Sequence, residues 1–322
     1  MKRFFALLGA FCLASSALAQ TPPAPYPAKP IRLLVGYAPG GATDIIARTI
    51  AGKLQESLGQ PVIVENRAGA TSNIASEMVA KSAPDGYTLL LGTIANATNM
   101  IAYKTPGYDT LRDFAFITQT MSAPSVLAMH PSVPARTLKE LIALAKAQPG
   151  KLSYASSGTG GSPHLAGELL RLRAGIDLLH VPYKGATPAM TDLLGGQVTM
   201  SFQTALSTIP HLQSGKLNVI AVAAHQRMKQ LPNVPTMAEA GLPDFEVSSW
   251  NGLFAPAKTP PEILAKLHAA TVKALALPDV REKLAAQGAE GVGNTPDEFR
   301  AYVRSEIDKW AKVIRASGMA IE

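Results

Sequence analysis

From residue 31 onward, short apolar runs alternate with longer segments in which apolar residues recur every three or four positions. The short runs cover 31–37, 61–66, 87–93, 125–130, 151–156, 178–183, 197–204 and 217–224, and each reads as a β-strand. The longer segments read as helices. In 42–59, apolar residues at 45, 46, 50, 54 and 58 share one face, and Gly59 stops the segment. The same pattern gives helices over 71–82, 137–150 and 187–196, and beyond 256 the chain is mostly helical. Thr137 with Glu140, Thr259 with Glu262, and Thr295 with Glu298 each have the spacing of a capping box. Strands alternating with helices predict an α/β fold of mostly parallel sheets flanked by helices.

Two such α/β units lie in one chain. Extended runs near 115–129 and 245–255 are candidates for crossings between them. The expected division is a signal peptide over 1–19, a first unit over 24–125, a second over 126–246, and a return to the first over 247–322.

The first twenty residues stand outside this pattern. Lys2 and Arg3 precede an apolar stretch from Phe4 to Leu13, and Ala17-Leu18-Ala19 precedes Gln20. That is the build of a secretory signal peptide cleaved after Ala19, and the apolar run is too short to span a bilayer. The expected destination is the periplasm. Cys12 is the single cysteine and lies within that segment, with bulky Phe11 before it where a lipoprotein signal would carry a small residue. The mature chain then has no disulfide, thiol nucleophile or cysteine-based metal site. The full chain of 322 residues is 47% hydrophobic, enough for two cores. The formal charge is +7, but the basic residues are dispersed, so no nucleic-acid stripe is present.

Three glycine-containing loops follow strands and open helices: 37–44 (YAPGGATD), 66–73 (NRAGATSN) and 156–164 (SSGTGGSPH). Each places unpaired N–H groups and the positive end of a helix dipole at a strand's C-terminal edge, where α/β sheets bind ligands. No phosphate-loop or dinucleotide fingerprint occurs, which points to a carboxylate guest held by neutral donors. Ser156, Ser157 and Ser162 beside His164 also suggest a nucleophile with a base, and a hydrolase built on Ser157 and His164 is one alternative. There is no G-x-S-x-G elbow. The six histidines, at 130, 164, 180, 211, 225 and 268, lack zinc-motif spacing. The expectation is a binding protein, not an enzyme, with no cofactor and no metal.

The ordered segments YPAKPIRLLVGYAPGGATDIIAR, GQPVIVENRAGA, APDGYTLLLG, GKLSYASSGTGGSPHLAGELL, HVPYKGATPAMTDLLGGQV and LPNVPTMAEAGLPDFEVSSWNGLFAPAKTP carry a resemblance, completed by the tail LAAQGAEGVGNTPDEFRAYVRSEIDKWAKVI. From about Tyr26 to the end, the chain resembles the Bug family, the TctC-like periplasmic receptors of tripartite tricarboxylate transporters. The resemblance implies a two-domain periplasmic-binding-protein fold that closes on a small carboxylate and serves membrane permease subunits, as a monomer. A receptor that feeds a signalling partner would share the same fold. Carried over by motif, the ligand contacts are Tyr37, Gly40, Gly41, Ala42 and Thr43 on one side and Ser157, Gly158, Thr159 and Gly160 on the other. Thr93 is expected as a wall residue. The first loop departs from the family's usual form at Tyr37 and Ala38, and the second at Ala68, Thr71 and Ser72. Gln203 stands where many relatives have Asp. A neutral amide there suits a carboxyl or hydroxyl better than an ammonium, so an amino-acid ligand is disfavoured.

Overall fold

The computed structural model describes residues 25–286 and 288–319, so the expected signal peptide and Cys12 lie outside the described residues. In chain order the elements are β1 (Ile31–Val35), α1 (Ala42–Leu58), β2 (Val62–Asn66), α2 (Asn73–Ala80), β3 (Thr88–Thr93), α3 (Ala95–Ala102), α4 (Thr110–Asp113), β4 (Phe114–Met129), α5 (Leu138–Ala147), β5 (Ser153–Ser156), α6 (Ser162–Ala174), β6 (Leu179–Pro182), α7 (Ala186–Leu194), β7 (Met200–Thr204), α8 (Ala205–Gln213), β8 (Asn218–Val222), β9 (Ser248–Pro256), α9 (Pro261–Ala276), α10 (Pro278–Ala286), β10 (Glu290–Gly291) and α11 (Pro296–Ser317). All eight strands anticipated from the pattern form. Helices α3, α4 and α8 were not anticipated: Asn96, Thr98 and Asn99 of α3 are buried and blur its periodicity, α4 is a single turn, and α8 carries Pro210 inside it.

The strands form one curled sheet, ordered β2-β1-β3-β9-β4-β7-β5-β6. Parallel pairing holds β2, β1 and β3 together at one end and β7, β5 and β6 at the other. The middle is antiparallel, so the sheet is mixed. Strand β4 explains why. Its 16 residues pair with β9 from Phe114 to Pro124, then with β7 and β8 from Ser125 to Met129. It leaves one parallel group and enters the other, and β9 runs back beside it. Two strands that carry a chain out and back must lie antiparallel. Phe114 and Leu127 on β4 and Trp250 and Phe254 on β9 are buried in the core.

Helix α11 packs against α3, α6 and β4, so the C-terminal segment touches both parallel groups. The buried carboxylate of Glu306 accepts from the indoles of Trp310 (3.0 Å) and Trp250 (3.3 Å), which pins α11 to β9. A Cβ on Gly252 would lie 2.0 Å from the Phe299 ring, so this strand is glycine where the helix crosses it. The capping boxes at Thr137 and Thr295 form. The one at Thr259 does not: its hydroxyl donates to the Pro256 carbonyl, and α9 starts from Pro260 without a side-chain cap.

Candidate functional site

The C-terminal ends of β1, β2 and β3 carry the loops that open α1 and α2, and α3 follows β3 directly. In the first loop, Gly40 takes a left-handed φ of 84°, which turns its N–H onto Asp44 Oδ2 at 3.0 Å. Asp44 is buried in the first turn of α1. It also accepts from Arg48 Nε (3.0 Å) and Asn66 Nδ2 (2.9 Å), and the same Asn66 amide holds the Tyr37 carbonyl at 3.0 Å. Burial opposes ionisation of Asp44, but the hydrogen bonds from Arg48, Gly40 and Asn66 outweigh it and hold the carboxyl below its usual range. This clamp fixes the loop and commits Arg48. The N–H groups of Gly41, Ala42, Thr43 and Asp44 have no hydrogen-bond acceptor among the described residues. They are the open donors at the positive end of a 17-residue helix. The Tyr37 hydroxyl lies 3.1 Å from Thr93 Oγ1, closing the wall between β1 and β3.

The second loop is strained. Ala70, Thr71 and Ser72 have φ of 45°, 48° and 69°, three consecutive left-handed residues with no glycine among them. Such conformations cost on the order of 1–3 kcal/mol per residue and persist only where surrounding contacts impose them. Here Asn99 Nδ2 donates to the Thr71 carbonyl at 3.0 Å. Ser72 packs so closely on Gly36 that a Cβ there would lie 1.9 Å from its hydroxyl.

The third loop, between β5 and α6, is held from beneath. Ser156 Oγ lies 2.7 Å from His180 Nε2, and Gly160 N donates to His164 Nδ1 at 3.0 Å. The two imidazoles stack with centroids 3.7 Å apart, and Tyr154 stacks on His180. Glu168, buried beside them, accepts from the Tyr154 hydroxyl (2.6 Å) and Arg171 (2.7 Å). Burial pushes His164 down to about 3 and His180 to about 4, so both rings are neutral at pH 7. Gly158 N is taken by Ser156 Oγ. Ser157 N and Thr159 N have no acceptor among the described residues. The Ser162 hydroxyl, at the start of α6, is buried without a partner.

Across the gap between the groups, Thr71 Oγ1 donates to the Thr159 carbonyl (2.8 Å) and Thr98 Oγ1 to the Gly160 carbonyl (2.9 Å). Gln203 is buried on β7. It lies two residues beyond the Ala155–Ser201 pair, at the same sheet edge as Ser157. Its Nε2 donates to Ser201 Oγ at 2.9 Å. The structure therefore joins Tyr37 to Thr93, and Thr159 and Gly160 to residues of the first group. The N–H groups of Gly40, Gly158 and Gly160, expected as ligand donors, are consumed within their own loops. Asp44 and Thr98 are the residues the pattern missed as candidates; Thr71 stood out only as a departure from the family's loop, and Ser162 only as a nucleophile candidate. A nucleophilic pair of Ser157 and His164 is not assembled: His164 Nδ1 is occupied by Gly160, and its Nε2 lies 3.9 Å from Glu168. Ser156 does meet His180, but it is fully buried and bonded to its own loop. Among the described residues no group of three His, Cys, Asp or Glu side chains could hold a metal, and no helix is long and apolar enough to cross a membrane.

The family model for the tripartite tricarboxylate transporter family receptor matches residues 46–319. The chain belongs to this family. Protein BugT of Bordetella pertussis is 40% identical to it over 324 residues, spanning 100% of this chain and 99% of that protein. Among solved structures, R. palustris Rpa4515 with adipate is 36% identical, with a TM-score of 0.87 over 92% of this chain and 99% of that one. MatC from Rhodopseudomonas palustris with bound malate is 34% identical, with a TM-score of 0.83 over 90% and 100%. The receptor thus has the two-domain fold of periplasmic solute-binding proteins, and the loops described above stand between its two parallel groups.

Proposed function

We propose that this receptor captures a small dicarboxylate between its two domains and delivers it to the membrane permease of a tripartite tricarboxylate-type transporter. The observation that carries the reading is the set of open donors. Four N–H groups lead α1, two more lie in the third loop, and a buried Ser162 hydroxyl has no partner. The cations at these loops are committed elsewhere, Arg48 to Asp44 and Arg171 to Glu168. Neutral donors and helix dipoles suit a carboxylate. The two similar structures, whose bound molecules are adipate and malate, support the ligand class. On this reading the first domain spans 24–125, the second 126–246, and 247–322 returns to the first. The protein is a periplasmic monomer, cleaved after Ala19, and it acts by closure without chemistry on its cargo.

The test is a thermal-unfolding screen of the mature protein against adipate, malate, citrate, benzoate, aspartate and glutamate. A ligand at a hundred times its Kd adds about 2.7 kcal/mol of stability. Adipate or malate is expected to give a larger shift than either amino acid, because Gln203 offers no charge to an ammonium. A flat screen of protein that mass spectrometry shows to be empty would refute the carboxylate reading. The hydroxyl of Thr159 makes no hydrogen bond among the described residues and stands beside two open N–H groups. Thr159→Ala is expected to weaken calorimetric affinity by about 1–2 kcal/mol.

A further inference from the structure

Two hydrogen bonds join the domains directly. Thr71 Oγ1 donates to Thr159 O at 2.8 Å, and Thr98 Oγ1 to Gly160 O at 2.9 Å. Both donors are hydroxyls on the first domain, and both acceptors are adjacent carbonyls of one loop on the second. We propose that Thr71 and Thr98 form a latch that stabilises the closed arrangement of the domains without touching the ligand. The proposal rests on the reading of this gap as the ligand site, but it concerns closure, which can be read with no ligand present.

Each half of the latch is held by contacts within its own domain. Thr98 lies on α3, fully buried, with its hydroxyl also 3.3 Å from the Ile94 carbonyl. Thr71 is fixed by Asn99, which binds its carbonyl, and by a left-handed backbone that a threonine seldom adopts. On the opposite side, His164 takes the Gly160 N–H and the Ser156–His180 pair holds the start of the loop, so the two carbonyls face outward together. A Cβ on Gly158 would lie 3.5 Å from Thr71 Oγ1, so the two loops are in near contact. A ligand can shift the domains only by its differential affinity for the closed form. A latch acts on the same equilibrium from inside the protein, and apparent affinity scales with the closed fraction it maintains. It therefore strengthens binding of every cargo by one common factor and leaves the choice among cargoes to the open N–H groups.

The experiment uses the mature protein from Gln20, which contains no cysteine. Nitroxide labels at Gln55→Cys and Lys216→Cys, exposed positions on either domain, report the interdomain distance by double electron–electron resonance after unfolding and refolding to strip any ligand. Wild-type protein is expected to show a closed population, and Thr71→Val with Thr98→Val to lower its ratio to the open form by about tenfold or more, each hydroxyl contributing about three- to tenfold. Valine keeps the threonine shape, so packing is retained. Thr71→Gly provides a second check. It relieves the left-handed strain, so it is expected to lose closed population without a lower unfolding temperature. Calorimetry with adipate and malate then reads the cargo side, and the double variant should weaken both by the same factor. Identical distance distributions in wild type and double variant would overturn the latch. So would factors that differ between adipate and malate, since those would mark direct ligand contacts. If neither acid binds, the carboxylate reading falls, and the resonance measurement still decides the latch.

Discussion

Replacing Gly41 by asparagine is expected to weaken carboxylate binding by at least about tenfold and leave the protein fully folded. Gly41 is the N-cap of α1, with φ −78° and ψ 168°, a conformation asparagine adopts without strain, and no side chain caps this helix. A Cβ there meets nothing nearer than the Ala38 carbonyl at 3.8 Å. An N-cap side chain turns back over the second and third N–H groups of its helix, here Thr43 and Asp44. The new amide oxygen would take one of the donors that the cargo needs. An N–H bond to a carboxylate contributes about 1.5–3 kcal/mol, so its loss lowers affinity by at least about tenfold. The unfolding temperature of the empty protein should hold or rise slightly, because asparagine is a somewhat better cap than glycine. Calorimetry and a thermal melt on the same sample separate the two effects. Unchanged affinity in this variant would show that the start of α1 is not the cradle.

Stability should fall steeply as pH drops from 6.5 to 5, through His164 and His180. Burial holds their pKa values to about 3 and about 4, below the ordinary 6.5. Above pH 6.5 the rings are neutral in both folded and unfolded chains, and the pair is indifferent to pH. Below it the unfolded chain binds protons that the folded protein refuses, so stability drops until the folded values are reached. Each histidine accounts for about 1.4 kcal/mol per pH unit in that window. By pH 5 the loss is about 2 kcal/mol from His164 and somewhat less from the less buried His180. Asp44 and Glu65, whose carboxyls are held below their usual range, act only at more acid pH. Urea melts at pH 7.5 and pH 5 provide the check. His164→Asn keeps an acceptor near Gly160 N but removes one titrating ring, and its stability should depend on pH by about one proton less. A wild-type protein equally stable at both pH values would show that these rings protonate freely in the folded state.

Much of the receptor is legible along the chain. The eight strands, the Gly59 stop, and the capping boxes at Thr137 and Thr295 follow from periodicity and from side chains that act within one helical turn. The three glycine loops stand out because a strand edge, a run of small residues and a helix start are all local features. The ordered motifs were enough for the family. The antiparallel middle of the sheet was not, since β4 and β9 take their direction from pairing with residues more than a hundred positions away.

The sequence by itself determined the α/β class, the helix starts and the places where N–H groups would gather. Only the tertiary structure decided which of those donors stay open. Gly40 gives its N–H to Asp44, Gly158 to Ser156 and Gly160 to His164, near neighbours that the distant Asn66 and His180 hold in place, whereas Gly41 and Thr159 keep theirs. It likewise decided that His164 props a loop instead of serving a nucleophile, and that Thr71 and Thr98 reach across to the other domain. Helix starts and strand edges depend on torsions and hydrogen bonds within a few residues. The partner of a buried polar atom depends on which distant segment packs within about 3 Å of it, and that distance is set by the whole fold.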